Sequence, residues 1–502
     1  MRGNEIVDAA RLAQGPAPEA ARPLVDALLA ANPDDADALT LLGMIEQRAG
    51  HGEAALVALG RALALDPRNP ARLGNHALAL KRAGRFEEAI AALERALVLR
   101  PGAAVTLANL GACLIEAGRP DAAIARLRHA LKVNPEHFDA LNNLGVALAR
   151  TGKPGEALLA YQQALALRPS HLDAQLNRID ALAADGQAGA ALGALRAVLQ
   201  QHPGHPRAAN QLGALLETAG DLEAAVTAYR AGLAGGLNHP VGVNLARTLV
   251  QAGRADEAVV LADRLLAALP SVTTPLAIKC AALARAGEAD ALTALMGLDA
   301  FVKVIDVARV EGFANRETFD AALAAELAAH PSLTFEPEGL VTRGGRQSDD
   351  LANADSPALR ALDTLAQNAI AAYLAQLPES DHPFVKARPK QWSLTLWGTI
   401  LNPGGTVGAH IHAPNWLSGV YYPALPDVVA TGEEGWLAMG ALPDALGGGG
   451  TVRRYEPRAG RMILFPSYLW HGTQPFSGET PRLSFAFDCV PAGIGRHHRL
   501  TK

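Results

Sequence analysis

Prolines recur every 34 residues, at Pro33, Pro67, Pro101, Pro135, Pro169 and Pro203, and glycines keep the same step at Gly50, Gly84, Gly118, Gly152, Gly186 and Gly220. A fixed period of this length constrains a chain strongly, because every period must be one copy of the same small helix-turn-helix unit. Glycine after the first helix supplies the positive φ that ends it. Proline after the second helix stops it before the next unit begins. Small residues fall in phase where two helices must approach closely, at Ala55, Ala89, Ala123, Ala157, Ala191 and Ala225, and Leu39, Leu73, Leu107 and Leu141 fill a core position of the first helix.

Together these positions match the tetratricopeptide pattern over roughly residues 36–235, which implies an all-α solenoid. Beyond Pro203 the register slips. Pro240 and Pro270 leave the 34-residue step while Gly253 and Gly287 still mark helix ends, so residues 236–297 read as two degenerate capping repeats. Residues 1–35 read as an incomplete first repeat, starting from the apolar pattern at Leu24, Leu28 and Leu29. Such an array leaves a groove free, and a protein or peptide is its expected partner. Asn75, Asn109, Asn143 and Asn177 share one repeat position, with Gln211 next in phase and Asn244 one residue short of it. The row resembles the asparagine ladder of O-linked N-acetylglucosamine transferases, where amides offer a donor and an acceptor to a peptide backbone. The same amides also suit a plainer task, orienting adjacent helices.

Hydrophobic residues make up 49% of the chain and charged residues 19%, which fits a folded, core-forming protein. The net charge is -5 with no dense basic stretch, so nucleic acid is not expected as a partner. The first ten residues carry acidic side chains and no apolar h-region, and no apolar run reaches membrane-spanning length. Neither a signal peptide nor a membrane segment is expected. Three widely spaced cysteines, Cys113, Cys280 and Cys489, fit a reducing cytoplasm better than a disulfide framework.

Near residue 300 the composition turns to Phe, Trp, Thr and Val. Two amphipathic helices are expected at 316–329 and 356–376, followed by strands in WSLTLWGTIL, SGVYYP, GWLAMG, VRRYEP, GRMILFPS and RLSFAFDCVP, with NPGG as a turn after the first. Short runs divided by Gly/Pro turns predict a barrel or jelly roll braced by the helices. The expected fold class is therefore α+β multidomain, with a solenoid over residues 1–297 and a jelly-roll domain over 298–502.

Candidate chemistry sits in two segments. His410 and His412 lie two apart on a strand, so both side chains face one side and converge on one point. His471 follows the apolar run ending in Phe465-Pro466-Ser467, and Arg482 comes eleven residues later with Ser484 on its own face.

This order, His410-x-His412, His471 and Arg482-x-Ser484, with the surrounding HIHAPNWLSGVYYP and LFPSYLWHGTQPF, resembles the bacterial and phage group of 2-oxoglutarate/Fe(II) oxygenases often fused to tetratricopeptide repeats. The resemblance implies a double-stranded β-helix in which the histidines hold Fe(II). Arg482 would pair with the far carboxylate of 2-oxoglutarate, helped by Ser484 and by whichever of Tyr421 and Tyr422 points inward. With O2 the implied reaction is oxidative decarboxylation to succinate and CO2 coupled to hydroxylation of a substrate.

The chain departs from that pattern at one place, since position 412 holds histidine where the family carries Asp or Glu. Either His410, His412 and His471 all bind metal, or two do and the third faces the substrate, or a carboxylate joins from Asp427 or Asp488. Elsewhere the plainer readings prevail. Trp392, Trp397, Trp416 and Trp470 are expected in core or pocket wall, Gly447–Gly450 as a flexible loop, His497 and His498 as a solvated tail, and Arg453, Arg454 and Arg458 on a solvated strand edge. The leading functional expectation is a protein or peptide hydroxylase whose repeats capture the substrate. A small-molecule oxygenase with the repeats as a recruitment module, and a non-catalytic metal-binding scaffold, are the alternatives. A three-histidine dioxygenase without 2-oxoglutarate has no use for Arg482.

Overall fold

The computed structural model describes residues 2–15, 17–352, 354–498 and 500. The chain divides into two compact units, Met1–His202 and Pro203–Lys502. In the first unit, helices Arg2–Gln14 and Arg22–Ala31 precede five pairs, from Ala36–Arg48 with Gly52–Leu65 to Leu172–Ala184 with Ala188–Gln201. The N-terminal region thus contributes a further helix ahead of the expected apolar pattern at Leu24. The period has the local causes read from the sequence. Gly50, Gly84, Gly118, Gly152 and Gly186 all take φ between 70° and 84° at helix ends. The in-phase alanines from Ala55 to Ala191 are completely buried.

The first helices of successive repeats start at one phase but not with one cap. Asp35 accepts from Asp37 N and Ala38 N, Asn69 accepts from Ala71 N and Arg72 N, and His137 and His171 each accept one backbone N–H. Ala103 holds the same extended backbone with no side chain able to do so.

The second unit begins with three more helical pairs: Pro206–Thr218 with Leu222–Gly232, His239–Gln251 with Ala255–Ala268, and Thr274–Ala286 with Ala289–Met296. The last two fall within residues 236–297. The register slips because Leu222–Gly232 has 11 residues where the corresponding earlier helices have 14. Pro240 lies in the first turn of the next helix, as Pro70 and Pro206 do in theirs.

The same unit carries a curled antiparallel sheet of jelly-roll type. Its strands are β1 (Lys303–Asp306), β2 (Thr334–Phe335), β3 (Thr342–Gln347), β4 (Trp392–His410), β5 (Leu417–Ala424), β6 (Leu437–Met439), β7 (Arg453–Tyr455), β8 (Arg461–Pro466), β9 (His471–Thr473) and β10 (Arg482–Pro491). The order is β1-β8-β5-β10-β4-β9-β6-β7, with β3 also paired to β4 and β2 to β3. The Asn402–Gly405 segment, expected as a turn, is instead a bend within β4. That strand pairs with β10 along Trp392–Leu401 and with β9 at Val407 and His410. Gly404, at φ 78°, and register shifts against β3 and β9 let one strand change partners, which is how bulges curl a sheet.

The two bracing helices fall at Arg316–Ala329 and Pro357–Gln376, as the sequence predicts. Phe319, Leu323 and Leu327 of the first are buried against the sheet, where Gly398 leaves room for Leu327. The last helical pair is bonded to the strand connection ahead of His471. Tyr468 Oη donates to Leu295 O at 2.7 Å and Trp470 Nε1 to Ala277 O at 3.2 Å. The Gly447–Gly450 loop is anchored too, with Leu442 and Leu446 packed among Leu245, Leu249 and Ile278. Among the described residues no helix is long and apolar enough to cross a membrane.

Because Ala103 occupies a capping position with capping geometry, Ala103→Asp is expected to stabilise the protein by about 1 kcal/mol. A urea titration followed by circular dichroism would register a raised midpoint.

Candidate metal centre

The period of two along β10 separates its side chains cleanly. Leu483, Phe485, Phe487 and Cys489 enter the hydrophobic core, whereas Arg482, Ser484, Ala486 and Asp488 line a cavity of about 310 Å³. His410, His412 and His471 line the same cavity, each offering one ring nitrogen, with these atoms all within 4.8 Å of one another.

The far side of each ring decides which nitrogen points inward. His410 Nδ1 donates to Gly408 O at 2.9 Å and His471 Nδ1 to Leu469 O at 2.9 Å. His412 Nδ1 lies 2.9 Å from Asp488 Oδ1 and 3.1 Å from Ser418 Oγ. Each proton is thereby held on Nδ1, and each Nε2 turns a lone pair toward the shared point. The Nε2 atoms of His410 and His412 stand 2.9 Å apart, closer than two lone pairs tolerate. A cation satisfies both. Burial, then the neighbouring His412, pushes the His410 pKa down to about 3, and burial with the other two rings holds His471 well below its ordinary value. Three imidazoles on one side of an open cavity suit a divalent first-row metal such as Fe(II) and leave positions for other ligands.

At the opposite end of the β10 row lies Arg482, 2% exposed. Its Nε donates to Gly435 O at 3.1 Å and one terminal nitrogen to Ser484 Oγ at 3.3 Å. No carboxylate pairs with it among the described residues. The guanidinium carbon sits 4.9 Å from the centre of the Tyr422 ring, whose hydroxyl is buried beside it. Burial lowers the Arg482 pKa, the mark of a charge removed from water without an anion. A buried cation without a carboxylate partner is costly unless an anion joins it.

The two tyrosines part here. Tyr422 faces the cavity, whereas Tyr421 points away and donates to Asp320 Oδ1 at 2.6 Å on a bracing helix. Tyr421 is therefore corrected as a ligand-binding residue, because consecutive residues of a strand face opposite sides. Asp427 is exposed and outside the cavity. Asp488 lines it, but its carboxylate stands behind His412 rather than beside the three Nε2 atoms.

His498, expected in a solvated tail, lies in the cavity wall. It stacks on Trp397 with ring centres 4.5 Å apart, and its Nε2 bonds Ser348 O at 3.0 Å. Nothing in the local sequence marks that residue, because the tail reaches the site only through tertiary packing. Asp488 did carry a signal: it lies six residues beyond Arg482, on the same alternating face. Trp416 is core, stacked on Phe384, and Arg453 and Arg454 are exposed on an edge strand in ion pairs with Asp299 and Glu433.

The proposed groove residues Asn75, Asn109, Asn143 and Asn177 are half-buried on the first helices of their repeats, as is Gln211 in the second unit. Asn177 Nδ2 donates to Asn142 Oδ1 at 3.3 Å and Asn244 Nδ2 to Asn210 Oδ1 at 2.8 Å, so part of the amide row does orient adjacent helices.

The half-buried His410 ring resists a proton that the unfolded chain accepts. Its folded pKa is depressed, so stability falls as pH drops below about 6.5 and continues to fall toward about 3. His410→Gln is expected to remove up to about 1.4 kcal/mol per pH unit of that slope. Denaturant titrations of both proteins at stepped pH would measure it.

Family models match the chain in two regions. Tetratricopeptide repeat models match residues 10–70, 109–171, 176–236 and 71–136, and the model described as "Putative 2OG-Fe(II) oxygenase" matches residues 395–488. Among curated proteins none matches the chain. Part of the chain is similar to solved repeat structures. A tetratricopeptide repeat protein from Parabacteroides merdae is 19% identical, covering 49% of this chain and 98% of its own, with TM-score 0.42. MamA is 23% identical, over 33% of this chain and 90% of its own, with TM-score 0.30. YrrB, described as a repeat protein with an unusual peptide-binding site, is 23% identical over 35% and 91%, with TM-score 0.29. The chain thus carries tetratricopeptide repeats followed, at its C-terminus, by a region that matches the model described as "Putative 2OG-Fe(II) oxygenase".

Proposed function

We propose that residues 298–502 form an Fe(II)/2-oxoglutarate-dependent oxygenase that hydroxylates a side chain of a protein or peptide captured by the repeats of residues 1–297. The observation that carries the reading is the pairing, in one cavity, of three inward Nε2 atoms with a buried arginine that lacks an anion. His410, His412 and His471 hold the metal. When bound, Fe(II) with 2-oxoglutarate and O2 supplies oxidative decarboxylation to succinate and CO2, and transfer of one oxygen atom to substrate.

The chain's own residues bind and orient. Arg482 offers unfilled N–H donors to the far carboxylate of 2-oxoglutarate, and Ser484 and the buried Tyr422 hydroxyl lie beside it. Leu437 and Phe465 wall the cavity with apolar surface, which limits water around the reacting groups. Capture of a polypeptide is supported by Asn75, Asn109 and Asn143, which share one phase and are half-buried, with amides that bond nothing among the described residues. An amide that reads main-chain donors and acceptors fits a polypeptide of varied sequence.

Arg482→Ala is expected to weaken 2-oxoglutarate binding by about 3 kcal/mol, roughly two orders of magnitude, while metal affinity stays within about threefold. Calorimetry with Mn(II)-loaded protein separates the two, and equal losses would make Arg482 a structural residue. The double change Asn109→Ala with Asn143→Ala is expected to reduce retention of lysate polypeptides about tenfold, with substrate-free succinate release unchanged. Undiminished retention would assign those amides to helix orientation alone.

A further inference from the structure

The three histidines are not equivalent behind the metal face. His410 and His471 rest on main-chain carbonyls, Gly408 O and Leu469 O. His412 alone has a carboxylate behind it, and position 412 is where a carboxylate ligand is otherwise expected. Asp488 is 3% exposed, and no Lys or Arg pairs with it among the described residues. Its Oδ1 receives His412 Nδ1 at 2.9 Å and Ser418 Oγ at 2.7 Å, and its Oδ2 receives Asn415 Nδ2 at 2.8 Å.

We propose that Asp488 is the centre's displaced carboxylate: from one ring behind, it positions His412 and supplies through that ring the negative charge a carboxylate at position 412 would give directly. A carboxylate on the outer nitrogen of a metal-ligating imidazole fixes ring orientation and raises ligand basicity. It is also a carboxylate in a cavity that Arg482 and Arg496 line as well.

Asn415 is the joint that holds this carboxylate still. Its Nδ2 also donates to Arg496 O at 2.9 Å, its Oδ1 accepts from Arg496 N at 2.8 Å, and its own carbonyl accepts from Thr273 Oγ1 at 3.0 Å. With both ends of the amide and its main chain engaged, Asn415 cannot turn without releasing Asp488. Asp488 and Asn415 are thus positioning residues rather than metal ligands.

The inference rests on reading the three histidines as a metal centre, so its test is metal binding without 2-oxoglutarate or substrate. Metal-free full-length protein is titrated with Co(II), following its visible absorption. Asp488→Asn is expected to lower Co(II) affinity about 10- to 100-fold and alter the ligand-field spectrum. The double variant Asp488→Asn with His412→Asp moves the charge one ring inward and is expected to recover affinity to within about fivefold of wild type. Asp320→Asn, which removes a buried carboxylate outside the cavity, is expected to bind Co(II) as wild type does. If Asp488→Asn does not fold, Asn415→Ala keeps the charge but frees the carboxylate, and an intermediate loss is expected. Wild-type affinity in Asp488→Asn, or in Asn415→Ala where that variant stands in for it, would overturn the proposal. So would a folded double variant no tighter than the single one. Failure of the wild type itself to bind Co(II) would instead overturn the metal-centre reading, and this inference with it.

Discussion

Each of the three inward imidazoles is aimed by a hydrogen bond on its far side, and the C-terminal domain is arranged around that requirement. His410 can bond Gly408 O because β4 bends and changes partners before reaching it. His471 opens β9 opposite His410, after a connection tied to the last helical pair through Tyr468 and Trp470. His412 meets Asp488 because β10 presents alternate side chains to the cavity, the same alternation that places Arg482 at the row's other end. One strand therefore sets both the carboxylate behind His412 and the buried guanidinium of Arg482.

The repeats impose a different economy. Their stability comes from small, fully buried contacts renewed every 34 residues, so a single substitution disturbs mainly its own repeat and the next. The shortened helix Leu222–Gly232 ends the strict register, and the final pairs give up periodicity for contacts with the sheet. Thr273, in the turn before the last pair, bonds the main chain of Asn415. The last repeats are thus structural parts of the unit that holds the site.

Much of this was legible in the sequence because it was local or periodic. Proline and glycine spacing defined the helical pairs, and the His-x-His step with Arg482-x-Ser484 placed side chains on one face from strand alternation alone. What resisted reading was tertiary. Tyr421 and Tyr422 alternate, but only packing against Asp320 decides which is outward. Asn402–Gly405 carries turn residues, yet the strand continues because β3 and β9 take up its edge. His498 reaches the cavity from the tail through Ser348 and Trp397, partners about 150 and 100 residues away. The row of half-buried amides lies between these cases, periodic in sequence but divided in the structure between helix-to-helix bonds and unengaged side chains.

The central claim is that one cavity holds a metal on three histidines and 2-oxoglutarate between that metal and Arg482. Its most direct test is the visible spectrum of the Fe(II)-loaded protein under anaerobic conditions, recorded before and after 2-oxoglutarate is added. A weak metal-to-ligand charge-transfer band that appears with the keto acid and is lost in Arg482→Ala at the same concentration is the predicted result. Fe(II) bound with no new band at saturating 2-oxoglutarate would contradict it.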